Sequence, residues 1–322
     1  MLSVLLALLA DGKFHSGQDL GNALGVSRSA VWKQMQLVQA LGLEVYSVKG
    51  RGYRVPGGID LLDAEKLVAG FDPGVAGKIE LQPVEYSMPS TNAAALAGFA
   101  DLSAGCRLYV AEQQTAGRGR RGRQWVSPFA ANLYFSLTWQ FTNGVAALEG
   151  LSLVVGVALL RGLRQLGVND VSVKWPNDLL WRNRKLAGVL LEMAGDASGD
   201  CNVVIGVGLN VNMPRQEMND VDQPWVDLTE IMGKVPSRTE VLSAMINALV
   251  PTLEEFVKEG FSGLRDEWQA ANGFQDQPVV LQTAQHSIQG VCRGVNETGA
   301  LLLETGSGTE AFHGGEVSLR AS

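Results

Sequence analysis

Apolar positions recur at helical spacing through the first forty residues. Met1 to Ala10 is apolar almost throughout, which predicts a first core helix. Leu20, Ala23 and Leu24 fall at i, i+3 and i+4 after His15-Ser16-Gly17 and predict a second, short helix ending at Gly25. Ser27 stands as an N-cap for a third helix, with Ala30, Val31, Met35 and Val38 as its apolar stripe and Gly42 at its end. Two β-prone stretches between Glu44 and Val55 flank Lys49-Gly50-Arg51-Gly52, the pattern of a hairpin with a cationic tip. Pro56-Gly57-Gly58 then punctuates the chain as a linker.

The pattern changes beyond that point. An alanine-rich helix follows Ser87-Met88-Pro89, with Ser90 or Thr91 as its N-cap, and apolar strands bracket a run of glycine and arginine at 117–123. Val171 to Leu180 reads as a strand broken by Trp175-Pro176-Asn177-Asp178, and Arg184 to Glu192 as its hairpin partner. Val203 to Asn212 reads as a buried strand interrupted by Gly206 and Gly208, where a ligand or another backbone can approach. Helical stretches at Glu240–Phe256 and Gly260–Ala271 precede five short β-like segments: Pro278–Gln282, Ser287–Val295, Gly299–Glu304, Glu310–His313 and Glu316–Arg320. Their spacing predicts a small barrel.

Charge alters this picture. The whole chain carries -7, which argues against a nucleic-acid binder, but residues 1–56 hold six basic side chains against three acidic ones. That head is +3 and leaves -10 on the remainder. The exposed face expected of the third helix carries Arg28, Ser29, Trp32, Lys33 and Gln36. Its cations suit phosphates and its hydroxyl and amide groups suit base edges. With Lys49 and Arg51 on the hairpin, the order helix, turn, helix and basic wing predicts a DNA-binding winged helix-turn-helix; a solvated face and hairpin is the alternative. Cys106, Cys201 and Cys292 are too dispersed for a disulfide framework or a CxxC site, which fits a reducing cytoplasm. His15, His286 and His313 make no zinc motif. Met1 to Ala10 lacks a basic flank and cleavage site, and the apolar run Leu151–Leu160 is about half a membrane span, so no membrane association is expected.

The chemistry concentrates in the body. Gly117-Arg118-Gly119-Arg120-Arg121-Gly122-Arg123 matches GxGxxG in form, but no helix follows it and four arginines would crowd a dinucleotide turn. A mobile cationic loop closing over a small anion fits better than a nucleic-acid patch or a solvated charge run, because arginine offers a planar donor fork to carboxylate and phosphate oxygens. Asn177 and Asp178 suit a bound cation, a neighbouring lysine or a plain β-turn. Lys185 opens an apolar strand, where a cation can neutralise a carboxylate attacking a phosphate. No Ser–His–Asp set or carboxylate pair stands out, so the chemistry expected is electrostatic and positional.

Ser90-Thr91-Asn92, the glycine–arginine loop, Lys174-Trp175-Pro176-Asn177-Asp178, Lys185-Leu186-Ala187-Gly188 and Gly206-Val207-Gly208-Leu209-Asn210 occur together and in order. The chain thereby resembles the bifunctional biotin–protein ligases that also repress the biotin operon, over essentially its whole length. The resemblance implies an α+β protein in three parts. These are a winged helix-turn-helix domain at 1–58, a class II synthetase-like catalytic domain with a mixed sheet at 59–271, and an SH3-like barrel at 272–322. It implies two half-reactions: biotin and Mg-ATP give biotinyl-5′-AMP and pyrophosphate, and a lysine of the acetyl-CoA carboxylase carrier domain then takes the biotinyl group.

By the same resemblance Ser90, Thr91, Asn92, Gln114, Gly117, Arg118, Arg120, Lys185, Gly188 and Gly206 line the biotin site, with Lys185, Arg120 and Arg118 as the catalytic cations. Arg120, Arg121, Arg123, Trp125, Asn177, Lys185, Asn210 and Arg320 fall on the ATP and adenylate side, and Asp178 on Mg2+. The segment from Asn212 to Trp225 would cover the adenylate. Biotinyl-5′-AMP would act as corepressor, promoting a homodimer through a free edge of the central sheet and binding to a two-fold operator. The rivals are a lipoyl or octanoyl transferase relative, a repressor without catalysis, and a ligase whose head does not bind the operator.

Overall fold

The computed structural model describes residues 1–99, 105–142, 148–194, 201–214, 223–283, 286–314 and 318–321. Helices α1 (Leu2–Leu9), α2 (Gly17–Leu24) and α3 (Arg28–Ala40) form the head with a two-stranded hairpin, β1 (Tyr46–Val48) and β2 (Gly52–Arg54). Ser27 is the expected N-cap, accepting from Ala30 N; Ser16 caps α2 in the same way, accepting from Asp19 N, and Gly25 at φ 67° ends α2. Leu5, Leu6 and Leu9 of α1 pack against Leu20, Val31, Met35 and Val38. Tyr53 and His15 exchange backbone hydrogen bonds of 2.9 Å, which tie the wing to the start of α2. Gly52 permits this approach: its φ is 100°, and a Cβ there would overlap the His15 carbonyl.

Pro56-Gly57-Gly58 breaks the pattern but does not hang free. Ile59 N donates to Ala10 O at 3.1 Å, and Val55 and Ile59 join the head core. That core also takes in Phe129, a residue from far along the chain, whose ring stacks on Tyr86.

After α4 (Ala64–Ala69) and α5 (Pro73–Ala76), the central sheet takes its strands from β3 (Ile79–Leu81), β4 (Cys106–Ala111), β5 (Leu133–Phe141), β6 (Val171–Lys174), β7 (Asp178–Trp181), β8 (Arg184–Ala194) and β9 (Cys201–Leu209). Their order is β3-β4-β5-β9-β8-β7-β6; β3 and β4 are parallel and the other pairs antiparallel. α6 (Thr91–Gly98) lies on one face, where Ser136 of β5 meets Thr91 and Asn92. On the other face lie α7 (Leu151–Gln165) and α9 (Arg238–Glu259), where Phe141 meets Phe256 edge-on. Alternation along β5 puts residues 136 and 141 on opposite faces, so the strand is covered on both sides. That double burial is why β5 and β9 read as apolar runs without a period of two.

The segment expected as one interrupted strand is a hairpin. β6 and β7 pair with each other, Lys174 opposite Asp178, and Trp175-Pro176-Asn177 turns the corner with a cis Trp175–Pro176 bond. Trp175 is buried, and its Nε1 donates to Gly299 O at 3.0 Å. α8 (Leu228–Met232) and α10 (Arg265–Ala270) complete the helices described. The tail strands are β10 (Pro278–Gln282), β11 (Ser287–Val295), β12 (Leu301–Thr305), β13 (Gly308–Phe312) and β14 (Ser318–Ala321), an antiparallel set in the order β13-β12-β11-β10-β14. Leu281, Cys292, Leu301, Leu303 and Leu319 extend the central core into this SH3-like unit. No described helix is long and apolar enough to cross a membrane.

Candidate active site and DNA-reading face

A cavity of about 410 Å³ opens above α6, β8 and β9 and is closed on one side by β14. Its neutral end is built at the start of α6. Ser90 caps that helix, and Gln114 Oε1 accepts from Thr91 N at 2.9 Å and from Thr91 Oγ1 at 3.2 Å. Ser136 Oγ, from the sheet below, donates to Asn92 Oδ1 at 2.6 Å and lies 2.8 Å from Thr91 Oγ1. Gln114 Nε2 donates to Ser127 Oγ at 3.2 Å. The floor is bare backbone: a Cβ on Gly206 would overlap the Asn92 carboxamide, and one on Gly208 would overlap the Trp125 ring.

The other end is cationic. Lys185 Nζ lies 2.8 Å from Asp178 Oδ1 and 5.3 Å from the centre of the Trp125 ring, a cation–π contact. Arg120 Nη1 donates to Asn177 Oδ1 at 3.1 Å. Asn177 is itself clamped to Val189, donating to its carbonyl at 2.7 Å and accepting its N–H at 2.9 Å. Burial holds the Arg120 guanidinium below its ordinary pKa, Arg121 and Arg123 add to this, and Asp178 opposes it. Lys174 is lowered for the same first reason, with Lys185, Arg320 and Arg123 adding like charge. The site thus spends folding energy to hold several cations together, which suits an anion that arrives later.

The glycine–arginine loop is folded. Arg118 bridges Gln124, Gly119 N donates to Arg123 O at 2.7 Å, and a short 3-10 turn at Arg120–Gly122 places Arg121 at φ 60°. Ser90, Thr91, Asn92, Gln114, Arg118, Arg120, Arg121, Arg123, Trp125, Asn177, Asp178, Lys185, Gly188, Gly206 and Arg320 all line the cavity. Two expected residues stand behind the wall. Gly117 packs under the loop, where a Cβ would lie 2.5 Å from Trp125 O. Asn210 is buried, and its Nδ2 donates to the carbonyls of Lys185 (3.3 Å) and Val226 (3.1 Å), so it holds the backbone that carries Lys185.

The neighbouring segment is pinned alongside, Lys185 N donating to Pro224 O at 2.8 Å. Residues 215–222 of the expected covering loop lie outside the described residues. Lys174, Phe274 and Leu319 line the cavity without having been singled out. Lys174 had a signal, the Lys-Trp-Pro-Asn-Asp motif; the other two are apolar residues with none.

A divalent metal would meet one lining carboxylate, Asp178, which already holds Lys185. Among the described residues no three His, Cys, Asp or Glu side chains gather. That donor set fits Mg2+ only as an ion that arrives on a polyphosphate and keeps most of its ligands from phosphate and water.

On the head, Arg28, Ser29, Trp32, Lys33 and Gln36 are all exposed on one side of α3, opposite Val31, Met35 and Val38. Lys49 and Arg51 are exposed at the wing tip. The Arg51 guanidinium stacks 4.1 Å from the centre of the Phe14 ring, and Arg54 lies 4.9 Å from the same ring.

Residues 86–210 match the Biotin/lipoate A/B protein ligase family, residues 1–54 an HTH domain, and residues 276–320 the Biotin protein ligase C terminal domain. The bifunctional ligase/repressor BirA of Salmonella typhimurium is 43% identical over 318 residues, 99% of this chain and 97% of that protein. This chain belongs to the bifunctional ligase/repressor family. The BirA of Escherichia coli is 42% identical over the same shares of the two chains. A biotin–(acetyl-CoA-carboxylase) ligase of Paracoccus denitrificans is 32% identical over 71% of this chain and 96% of its own length. Among solved structures, the Aquifex aeolicus biotin protein ligase in complex with biotin and ATP superposes with a TM-score of 0.63 at 28% identity. It covers 76% of this chain and 99% of its own. Family membership therefore rests on head, ligase body and barrel together.

Proposed function

We propose that this chain is an ATP-dependent biotin–protein ligase that also represses transcription as a biotin-responsive DNA-binding protein. The observation that carries the ligase half is a single cavity with a neutral hydrogen-bonding end at Thr91 and Gln114 and a cationic end at Lys174, Arg120 and Lys185. The neutral end suits the ureido group of biotin. The valeryl carboxylate then points to Arg120 and Lys185, and ATP lies toward Trp125, Asn177 and Arg320. A carboxylate oxygen attacks the α-phosphorus, the bond to the β,γ-phosphates breaks, and biotinyl-5′-AMP and pyrophosphate result. Arg120 and Lys185 offset the repulsion between the two anions, while the folded loop excludes water from the mixed anhydride. Mg2+, when bound, would screen the triphosphate, and Asp178 is the carboxylate of the cavity lining that would help to hold it. The ε-amine of a carrier-domain lysine of acetyl-CoA carboxylase then attacks the acyl carbon, AMP leaves, and the amine proton passes to solvent.

The repressor half is supported by the exposed face of α3 and the stacked wing arginines. Homodimerisation has a candidate edge. β7 pairs with β8 only as far as Gly188, so Leu190 to Ala194 has no strand on that side among the described residues. Biotinyl-5′-AMP as corepressor would favour pairing there and bring two heads to a two-fold operator.

One experiment separates the rivals: purified protein incubated with Mg-ATP and either biotin or lipoate, followed by pyrophosphate release and labelling of the carrier domain. Biotin-dependent release with labelling is expected; release with lipoate alone would sink the ligase assignment. Binding to biotin-operon DNA should tighten when biotin and ATP are present and weaken with salt. Affinity indifferent to both would remove the repressor half.

A further inference from the structure

Glu192 lies on β8, two and four residues beyond Leu190 and Gly188, and so shares their face of the sheet. Its Oε2 accepts from Asn92 Nδ2 at 2.7 Å and from Arg118 Nη2 at 3.1 Å. These partners stand 100 and 74 residues away and belong to two elements that line the cavity: the start of α6, at its neutral end, and the glycine–arginine loop. Both polar atoms of the Asn92 carboxamide are thereby engaged. Its oxygen accepts from Ser136 Oγ, and its amide donates to Glu192 and, at 3.3 Å, to Leu190 O. Its neighbour Thr91 is in turn held by Gln114.

We propose that Glu192 is a positioning residue for biotin: one carboxylate oxygen fastens the glycine–arginine loop, through Arg118, to the start of α6, through Asn92. Two consequences follow. Arg118 is a fastener for the loop, with its charge answered by Glu192, and neutralising the substrate carboxylate falls to Arg120 and Lys185. Glu192 touches neither reacting group, so its loss acts on biotin capture and retention and leaves the chemical step alone.

The inference rests on biotin occupying the Thr91–Gln114 end. The test measures biotin affinity and dissociation by calorimetry and stopped-flow tryptophan fluorescence, and steady-state pyrophosphate release, for Glu192→Ala, Glu192→Gln, Arg118→Ala and the double variant Arg118→Ala/Glu192→Ala. Glu192→Ala should raise the biotin Kd, KM and dissociation rate by about tenfold or more, the scale of a hydrogen bond to a charged group. Its kcat and KM for ATP should stay within about twofold of wild type. Glu192→Gln keeps an acceptor for Asn92 and should recover part of the loss. The double variant should bind biotin no more weakly than Arg118→Ala by more than about twofold, because both changes cut the same tie.

Weaker binding by Arg118→Ala with wild-type binding by both Glu192 variants would overturn this proposal and leave the site assignment standing. Wild-type binding by all four variants would overturn this proposal alone, and an absence of biotin binding by the wild-type protein would overturn the site assignment with it. Equal losses in kcat, KM for ATP and KM for biotin, with no rescue by glutamine, would mark Glu192 as merely structural and overturn it too.

Discussion

Lys174 holds a cation where burial opposes one. Desolvation comes first among the causes that lower its pKa, and Lys185, Arg320 and Arg123 press in the same direction. Because the folded pKa lies below that of the unfolded chain, the unfolded state binds more protons between the two values. The residue's contribution to stability therefore improves as pH rises through that window. At neutral pH it is a liability to the fold, kept at the cationic end of the cavity. Lys174→Met should raise the Tm while lowering kcat/KM for ATP by about tenfold or more. Differential scanning calorimetry and pyrophosphate release check the two halves, and a lower Tm would contradict the burial argument. Lys174 also marks a limit of legibility. Its motif was visible in the sequence, but its cost comes first from burial and then, against the relief from Asp178, from Lys185, Arg320 and Arg123, an environment only the folded chain reveals. Glu192 is a stronger case, since neither of its partners lies within seventy residues.

Among the elements, the head was legible nearly in full because its caps and apolar stripes are local: Gly25, Ser27 and the Val31–Met35–Val38 face all do what their spacing predicts. The β6–β7 hairpin was not. Two four-residue strands around a three-residue turn look like one strand with a break, and only the pairing of Lys174 with Asp178 tells them apart. The wing adds a detail no pattern contains, the stacking of Arg51 on Phe14. That arginine is pre-positioned for a phosphate, so Arg51→Ala should weaken operator binding similarly across sequences and reduce the salt slope by about 1. Titrations at several salt concentrations decide it, and an unchanged slope would separate the wing from the DNA backbone.

A buried ion pair ties the residue that follows β4 to the start of α9. Glu112 Oε2 lies 2.7 Å from Arg238 Nη2, and each side chain is at most 2% exposed. Asp60 Oδ2, 3.7 Å from Arg238 Nε, answers the freed charge only in part, so Glu112→Ala should cost about 3 kcal/mol in urea unfolding.

Across the whole molecule, the three parts share cores. Phe129, just past the glycine–arginine loop, completes the core of the head, and Leu319 of the barrel joins the core of the central sheet. The punctuation at Pro56-Gly57-Gly58 and the run of short β-like segments from Pro278 onward were visible in the sequence; these shared cores were not, because they unite residues remote in sequence. Phe129→Ala should loosen the head from the body, seen as faster limited proteolysis around Gly57-Gly58 with the biotin-dependent pyrophosphate reaction retained. Equal proteolysis of variant and wild type would make the Phe129 contact incidental.

The Glu112–Arg238 pair does not stop at β4 and α9. Glu112 Oε1 accepts from Leu62 N at 2.7 Å, Arg238 N donates to Asp60 Oδ2 at 2.8 Å, and Arg238 Nη1 donates to Asn132 O at 3.1 Å. Asn132 Oδ1 in turn accepts from Val211 N, ahead of the covering segment. The chain leaving the head is thus fastened to the end of β4, the start of α9 and the start of β5 by one knot of side chains. For a geneticist selecting derepressed alleles, the yield should not be confined to the reading helix. Conservative changes at Glu112, Arg238 or Asn132 that spare folding belong in the same collection, buried in the enzyme and scored at a promoter.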